Sequence, residues 1–131
     1  MIKNLRLKSQ TESLLLIEKL IDEIKEEGVI NEDNYGNIIV CATEAVNNSI
    51  NHGNKGNSNK FIDVLVEYND DILSFDIKDE GDGFDYENIP DPTLPENIEK
   101  LDGRGVFLIK NLADDMEFLN NGSEIKFSFN L

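Results

Sequence analysis

Glu44, Asn48 and His52 stand four residues apart in the run Ile38–Gly53, IIVCATEAVNNSINHG. On a helix that spacing puts a carboxylate, a carboxamide and an imidazole along one edge, while Ile38, Ile39, Ala42, Ala45, Val46 and Ser49 form an apolar or small face beside it. Such an edge is one wall of a site; a solvent-facing polar stripe has the same spacing. Two later glycine motifs favour the site. Asp79-Glu80-Gly81-Asp82-Gly83 follows a strand. A carboxylate at a strand end can accept from an exocyclic amine while the glycines leave room for a flat ring. Gly103-Arg104-Gly105 opens an apolar helical segment, where glycine admits phosphate oxygens to backbone N–H groups and the helix N-terminus adds positive potential. Neither motif has the Walker or dinucleotide-binding spacing. The acidic turn also lacks the ligand series of a calcium loop.

The elements that must position these residues follow from periodicity and turn chemistry. Ile2, Leu5 and Leu7 make a short strand. Ser9 and Glu12 have the spacing of a capping box, which predicts a helix in which Leu14, Leu16, Ile17, Leu20, Ile21 and Ile24 recur at helical spacing until Gly28 stops it. A second helix starts near Asn31–Asp33 and runs to about Asn51 with the polar edge on it. The run 53–60, GNKGNSNK, has no apolar residue and reads as an exposed loop. Phe61–Tyr68 and Asp71–Asp79 are strands joined at Asn69-Asp70. Residues 86–102 contain all three prolines, Pro90, Pro92 and Pro95, and read as a long loop or lid. A short helix then extends to about Ala113. Glu117–Leu119 and Glu124–Leu131 form a hairpin around Asn121-Gly122. The expected architecture is one α/β two-layer sandwich over residues 1–131, a mixed, mostly antiparallel sheet covered on one face by helices.

Composition narrows the functions. The net charge of −15, with 12 basic residues against 27 acidic ones, repels a polyphosphate backbone, so nucleic acid is not an expected partner. Proteins are, and a mononucleotide held by a local nest of backbone N–H groups remains compatible. Cys41 is the single cysteine, which excludes an intrachain disulfide and suits a reducing compartment. The longest apolar runs are far too short to span a bilayer, and no signal-peptide core follows the basic start. The expected location is the cytoplasm, away from membranes.

Three motifs in this order resemble a known family. Glu44-Ala-Val-Asn-Asn48-Ser-Ile-Asn-His52-Gly53 resembles the N-box of GHKL-type ATPases, Asp79-Glu-Gly81-Asp-Gly83 their first glycine box, and Gly103-Arg-Gly105-Val-Phe-Leu-Ile their second. The segment between the glycine boxes matches the ATP lid. Within that superfamily the chain is most similar to the anti-sigma factor serine kinases, small single-domain proteins of the histidine-kinase-like ATPase type. The resemblance spans nearly the whole chain. It implies binding of ATP with Mg2+, sequestration of a sigma factor, and phosphorylation of a serine on an anti-anti-sigma partner. It also implies that Glu44 is the general base, that Asn48 holds Mg2+ against the phosphates, and that Asp79 accepts from the adenine amino group. Gly81, Gly83, Gly103 and Gly105 would give the nucleotide close access to the backbone. Ser123 lies where the family often has Thr beside the adenine pocket. His52 would close the helix or touch phosphate, and Arg104 or Lys55 would either add positive charge or face solvent. Relatives of this type commonly pair as homodimers, with the N-terminal strand a candidate edge. Two other functions fit the same residues: a nucleotide-dependent binding module without phosphate transfer, and a detached histidine-kinase catalytic domain. Against the latter, the only histidine lies inside the proposed metal-binding helix.

Overall fold

The computed structural model describes residues 1–83 and 104–131. Gly103, the three prolines and the lid segment lie outside the described residues. The described residues form five strands: β1 (Ile2–Lys8), β2 (Phe61–Tyr68), β3 (Ile72–Lys78), β4 (Asp115–Leu119) and β5 (Glu124–Asn130). They lie in the order β1-β2-β3-β5-β4, and every pairing is antiparallel. The expectation of a mixed sheet thus resolves to a fully antiparallel one among these residues. Three helices, α1 (Leu14–Glu26), α2 (Glu32–Asn48) and α3 (Arg104–Leu112), complete it. The order matters for function. After β3 the chain leaves the sheet, returns at the far edge as β4, and only then inserts β5 against β3.

Alternation along the strands decides which face the helices cover. Leu7, Ile62, Val64, Val66, Leu73, Phe75, Ile77, Phe127 and Phe129 are buried together with Ile17, Ile21 and Ile24 of α1 and Ile38, Ala42 and Val46 of α2. The rings of Phe75 and Phe127 stack at 5.1 Å, and Phe129 meets both edge-on at 6.4 and 6.0 Å. Each such side chain taken from water contributes roughly 1.5–3 kcal/mol. α2 runs between α1 and α3 and also touches β3. Its position is therefore set from three sides.

The helix termini follow local chemistry with one exception. Asn31 caps α2 by accepting from the Asn34 N–H at 2.9 Å, and Glu32 and Asp33 occupy the first turn. Gly28, at φ +84°, closes α1, its N–H donating to the Lys25 carbonyl at 3.0 Å. The capping box expected at Ser9 and Glu12 does not form. Ser9 is buried beside β2, its N–H donating to the Lys60 carbonyl, and a 3-10 turn over Thr11–Ser13 precedes α1 instead. The Ser13 hydroxyl ties that turn to the Lys8 carbonyl at 2.6 Å. The β4–β5 connection keeps the expected strand ends. Leu119 pairs with Glu124, leaving a four-residue loop in which Asn120, Asn121 and Gly122 all have positive φ; asparagine and glycine tolerate that conformation best.

The uncovered face of the sheet is charged. Asp76 stands opposite Lys126 and Leu65 in register, its carboxylate 3.8 Å from the Lys126 ammonium. Lys78 neighbours it along β3, and Asp63, Glu67 and Glu124 sit diagonally on β2 and β5. Burial and the adjacent Glu124 push Asp76 up from 3.8 to about 7, more than Lys126 and Lys78 hold it down. The folded chain then keeps a proton that the unfolded chain has released, so this site's contribution to stability is present below pH 3.8 and is lost as pH rises through 7. Asp76→Asn should remove that loss. Urea midpoints should show the variant gaining on the wild type between pH 5 and pH 8; a difference independent of pH would contradict this account.

Candidate active site

The strand order brings four segments to one end of the sheet: the end of α2, the turn after β3, the start of α3 and the β4–β5 loop. They enclose a cavity of about 230 Å3. Ala45, Ile77, Val106, Phe118 and Ile125 give it apolar walls, while Asn48, Ser49, His52, Asp79 and Ser123 supply polar groups and Gly53, Gly83 and Gly122 supply bare backbone. A mostly apolar cleft with a few convergent polar groups is the usual form of a small-molecule site.

Asp79 lies at the inner end. Its N–H donates to the Ser123 carbonyl at 2.9 Å, which pins the turn to the loop before β5. Its Oδ1 accepts from the Gly81 N–H at 2.8 Å. The carboxylate is gripped between two glycines: a Cβ on Gly53 would lie 2.1 Å from Asp79 Oδ2, and one on Gly81 would lie 2.1 Å from the Gly53 carbonyl oxygen. Gly83, at φ +89°, meets the Asn121 carbonyl in the same way, at 2.0 Å. Burial pushes the Asp79 carboxyl upward, while the Gly81 N–H and the charge of Lys60 hold it down.

Along α2, Glu44 and Asn48 converge on the start of α3. A Cβ on Gly105 would lie 2.7 Å from Asn48 Nδ2, 3.2 Å from Asn48 Oδ1 and 2.8 Å from Glu44 Oε2. The neighbouring Asn47 is turned elsewhere, accepting from Asn51 Nδ2 at 3.0 Å. Beyond Asn48 the helix widens: the Asn54 N–H reaches back five residues to the Ser49 carbonyl at 2.8 Å. A one-residue widening of this kind re-aims the side chains that follow it, and exposed His52 still lines the cavity. Ser123 lines it too, its hydroxyl donating to the Asn120 carbonyl at 2.9 Å. Arg104 is the first residue of α3. Lys55 is exposed at φ 53° and is not among the cavity-lining residues.

The loop after His52 is not wholly exposed. Asn54 is fully buried, its Nδ2 donating to the Phe61 carbonyl at 3.0 Å and its Oδ1 accepting from the Glu80 N–H at 2.9 Å. Composition pointed the wrong way because one buried amide was set among solvated neighbours. Phe118 and Ile125 were likewise read only as strand residues, yet they form a wall of the cavity.

Cys41 is buried in the core, one turn before Glu44 on α2. Burial, with a smaller contribution from Glu44, pushes its thiol up to about 12, so it is unreactive near neutrality.

Residues 7–129 match the model of a family described as the histidine kinase-like ATPase domain. The chain belongs to that family. It is 30% identical over 119 residues to the serine-protein kinase RsbW of Staphylococcus aureus strain JH9, and to the same degree to that of strain Newman; the match covers 86% of this chain and 75% of each relative. Its fold is similar to that in the crystal structure of the RsbU and RsbW domains of Rv1364c from Mycobacterium tuberculosis, with a TM-score of 0.67 at 13% identity, covering 99% of this chain and 32% of that one. At that identity the likeness concerns the fold alone, and this chain spans about a third of that longer one.

As a member of an ATPase family, the chain should lose nucleotide when the meeting of Glu44, Asn48 and Gly105 is disturbed. Gly105→Ala presses only on the tips of two side chains, and alanine favours the helix by roughly 0.5–1 kcal/mol, so thermal stability should not fall. Affinity for ATP should drop about 10-fold, equivalent to 1.4 kcal/mol. Titration calorimetry beside a melting curve checks both, and unchanged affinity would show that this approach is not needed for binding.

Proposed function

We propose that the chain is an ATP-dependent serine kinase that also acts as an anti-sigma factor, holding a sigma factor and phosphorylating a serine of an anti-anti-sigma partner. One observation carries this reading: Glu44 and Asn48 meet the backbone of α3 at Gly105, while Asn48 and Asp79 face one cavity from two sides. A purine triphosphate spans such a space with its ring at Asp79 and its phosphates at α3. The RsbW relatives support the choice of serine as acceptor.

Each residue then has a defined task. Asp79 Oδ1 is already engaged by the Gly81 N–H, leaving Oδ2 to accept from the adenine amino group. Gly53, Gly81 and Gly83 let the ring approach backbone, and Val106, Phe118 and Ile125 pack against its faces. Ser123 borders the ring. Arg104 and Gly105 open α3 and bring its first N–H groups to the phosphates, and His52 borders the same end. Glu44 takes the proton of the serine hydroxyl as its oxygen attacks the γ-phosphorus and the bond to ADP breaks. Phosphoryl transfer asks mainly for positioning and charge neutralisation.

Magnesium fits the residues present. No three His, Cys, Asp or Glu side chains cluster as a metal cage among the described residues, whereas Mg2+ normally takes one or two protein oxygens plus phosphates and water. The Asn48 amide oxygen beside Gly105 is the group that would hold it, and the ion would supply neutralisation of phosphate charge.

No helix among the described residues is long and apolar enough to cross a membrane, in keeping with a cytoplasmic regulator. β1 lies at an edge of the sheet, which supports strand-edge pairing as a route to a homodimer.

Incubation with γ-labelled ATP, Mg2+ and small candidate partners encoded nearby tests the proposal. Label should appear on a partner serine and fall by about 10²–10⁴-fold in Glu44→Gln, the usual worth of a general base. Nucleotide binding with no transfer to any partner would instead favour a non-catalytic, nucleotide-dependent binding module.

A further inference from the structure

We infer that Asn54 is a positioning residue for the carboxylate that reads the base. This rests on the ATP-binding reading above and adds a residue that neither the motifs nor the cavity lining includes.

Three successive amides in the turn after β3 have three different acceptors. The Asp79 N–H donates to the Ser123 carbonyl, the Glu80 N–H to Asn54 Oδ1, and the Gly81 N–H to Asp79 Oδ1. The first bond joins the turn to the loop before β5 and the third is internal. The second alone joins it to the widened segment after α2, which follows Glu44 and Asn48 and carries His52. Asn54 is anchored in turn: its Nδ2 donates to the Phe61 carbonyl, and the Phe61 N–H donates to Glu80 Oε2 at 2.7 Å. The side chains of Asn54 and Glu80 therefore clamp the first residue of β2 from both backbone groups. The residue before Asn54 is Gly53, whose backbone bears on Asp79 Oδ2.

The carboxamide suits this place because it offers a donor and an acceptor on one rigid plane. It is fully buried, so truncation leaves both the Phe61 carbonyl and the Glu80 N–H without a partner. The turn can then shift away from α2, and Asp79 with it. What is lost first is the distance between the group that reads the ring and the groups that hold the phosphates. Asn54 touches no nucleotide itself; its effect passes through Asp79.

Calorimetric affinities for ATP and for purine riboside triphosphate, which lacks the exocyclic amine, test this in wild type, Asn54→Ala, Asp79→Asn and the double variant. Asn54→Ala should weaken ATP about 10-fold and the amine-free analogue less than about 2-fold. It should cost no further ATP affinity once Asp79 is Asn, since residues acting as a unit are not additive. Equal losses for both nucleotides, or additive losses in the double variant, would reduce Asn54 to general support and overturn the inference while leaving ATP binding standing. If the wild type binds neither nucleotide, the ATP-binding reading falls and this inference with it. Should Asn54→Ala fail to fold, amide exchange in the wild type decides. The Glu80 N–H must be protected without nucleotide and gain protection together with Gly81 when ATP is added; exchange at the unstructured rate overturns the assignment.

Discussion

Asp79 sits where no side chain could be added to its neighbours. Its carboxylate occupies the gap between the Gly53 and Gly81 backbones, and that gap fixes how closely the end of α2 approaches the turn after β3. Because α2 is rigid and held by α1, α3 and β3, its polar edge is fixed as well. The spacing between the two ends of the cavity is thus set by backbone contact and not by flexible side chains. Backbone cannot yield as a lysine or glutamate tip can, so Gly81, whose Cβ would meet the Gly53 carbonyl, is demanded by distance.

The desolvation that this packing imposes has a chemical return. A carboxylate deprived of water accepts strongly from whatever donor is offered, since the surroundings no longer screen it. One of its oxygens is satisfied by the Gly81 N–H, and a second donor is most valuable at the other. The apolar walls from Val106, Phe118 and Ile125 work in the same direction by excluding competing water.

Much of this was legible before any coordinates. The period of apolar residues gives α1 and α2 and alternation gives β2, β3 and β5, while Glu44 and Asn48 come to Gly105 and Asn48 shares one cavity with Asp79. Helical register sets Asn48 rather than Asn47 beside Glu44, and Asn47 accepts from Asn51. What was not legible depended on tertiary contact. Ser9 was available as a cap until β2 covered it. Asn54 could not be separated from Asn57 and Asn59 by composition, because its burial comes from β2 and from the turn after β3, which are distant in the chain.

Placing β5 between β3 and β4 has a consequence for how the molecule is made. Ile125 walls the cavity and the Ser123 carbonyl secures Asp79, yet both emerge from the ribosome after every other lining residue. A nascent chain halted before them has α2 and its polar edge but no closed floor beneath it. The pocket therefore closes only when β5 is in place beside β3.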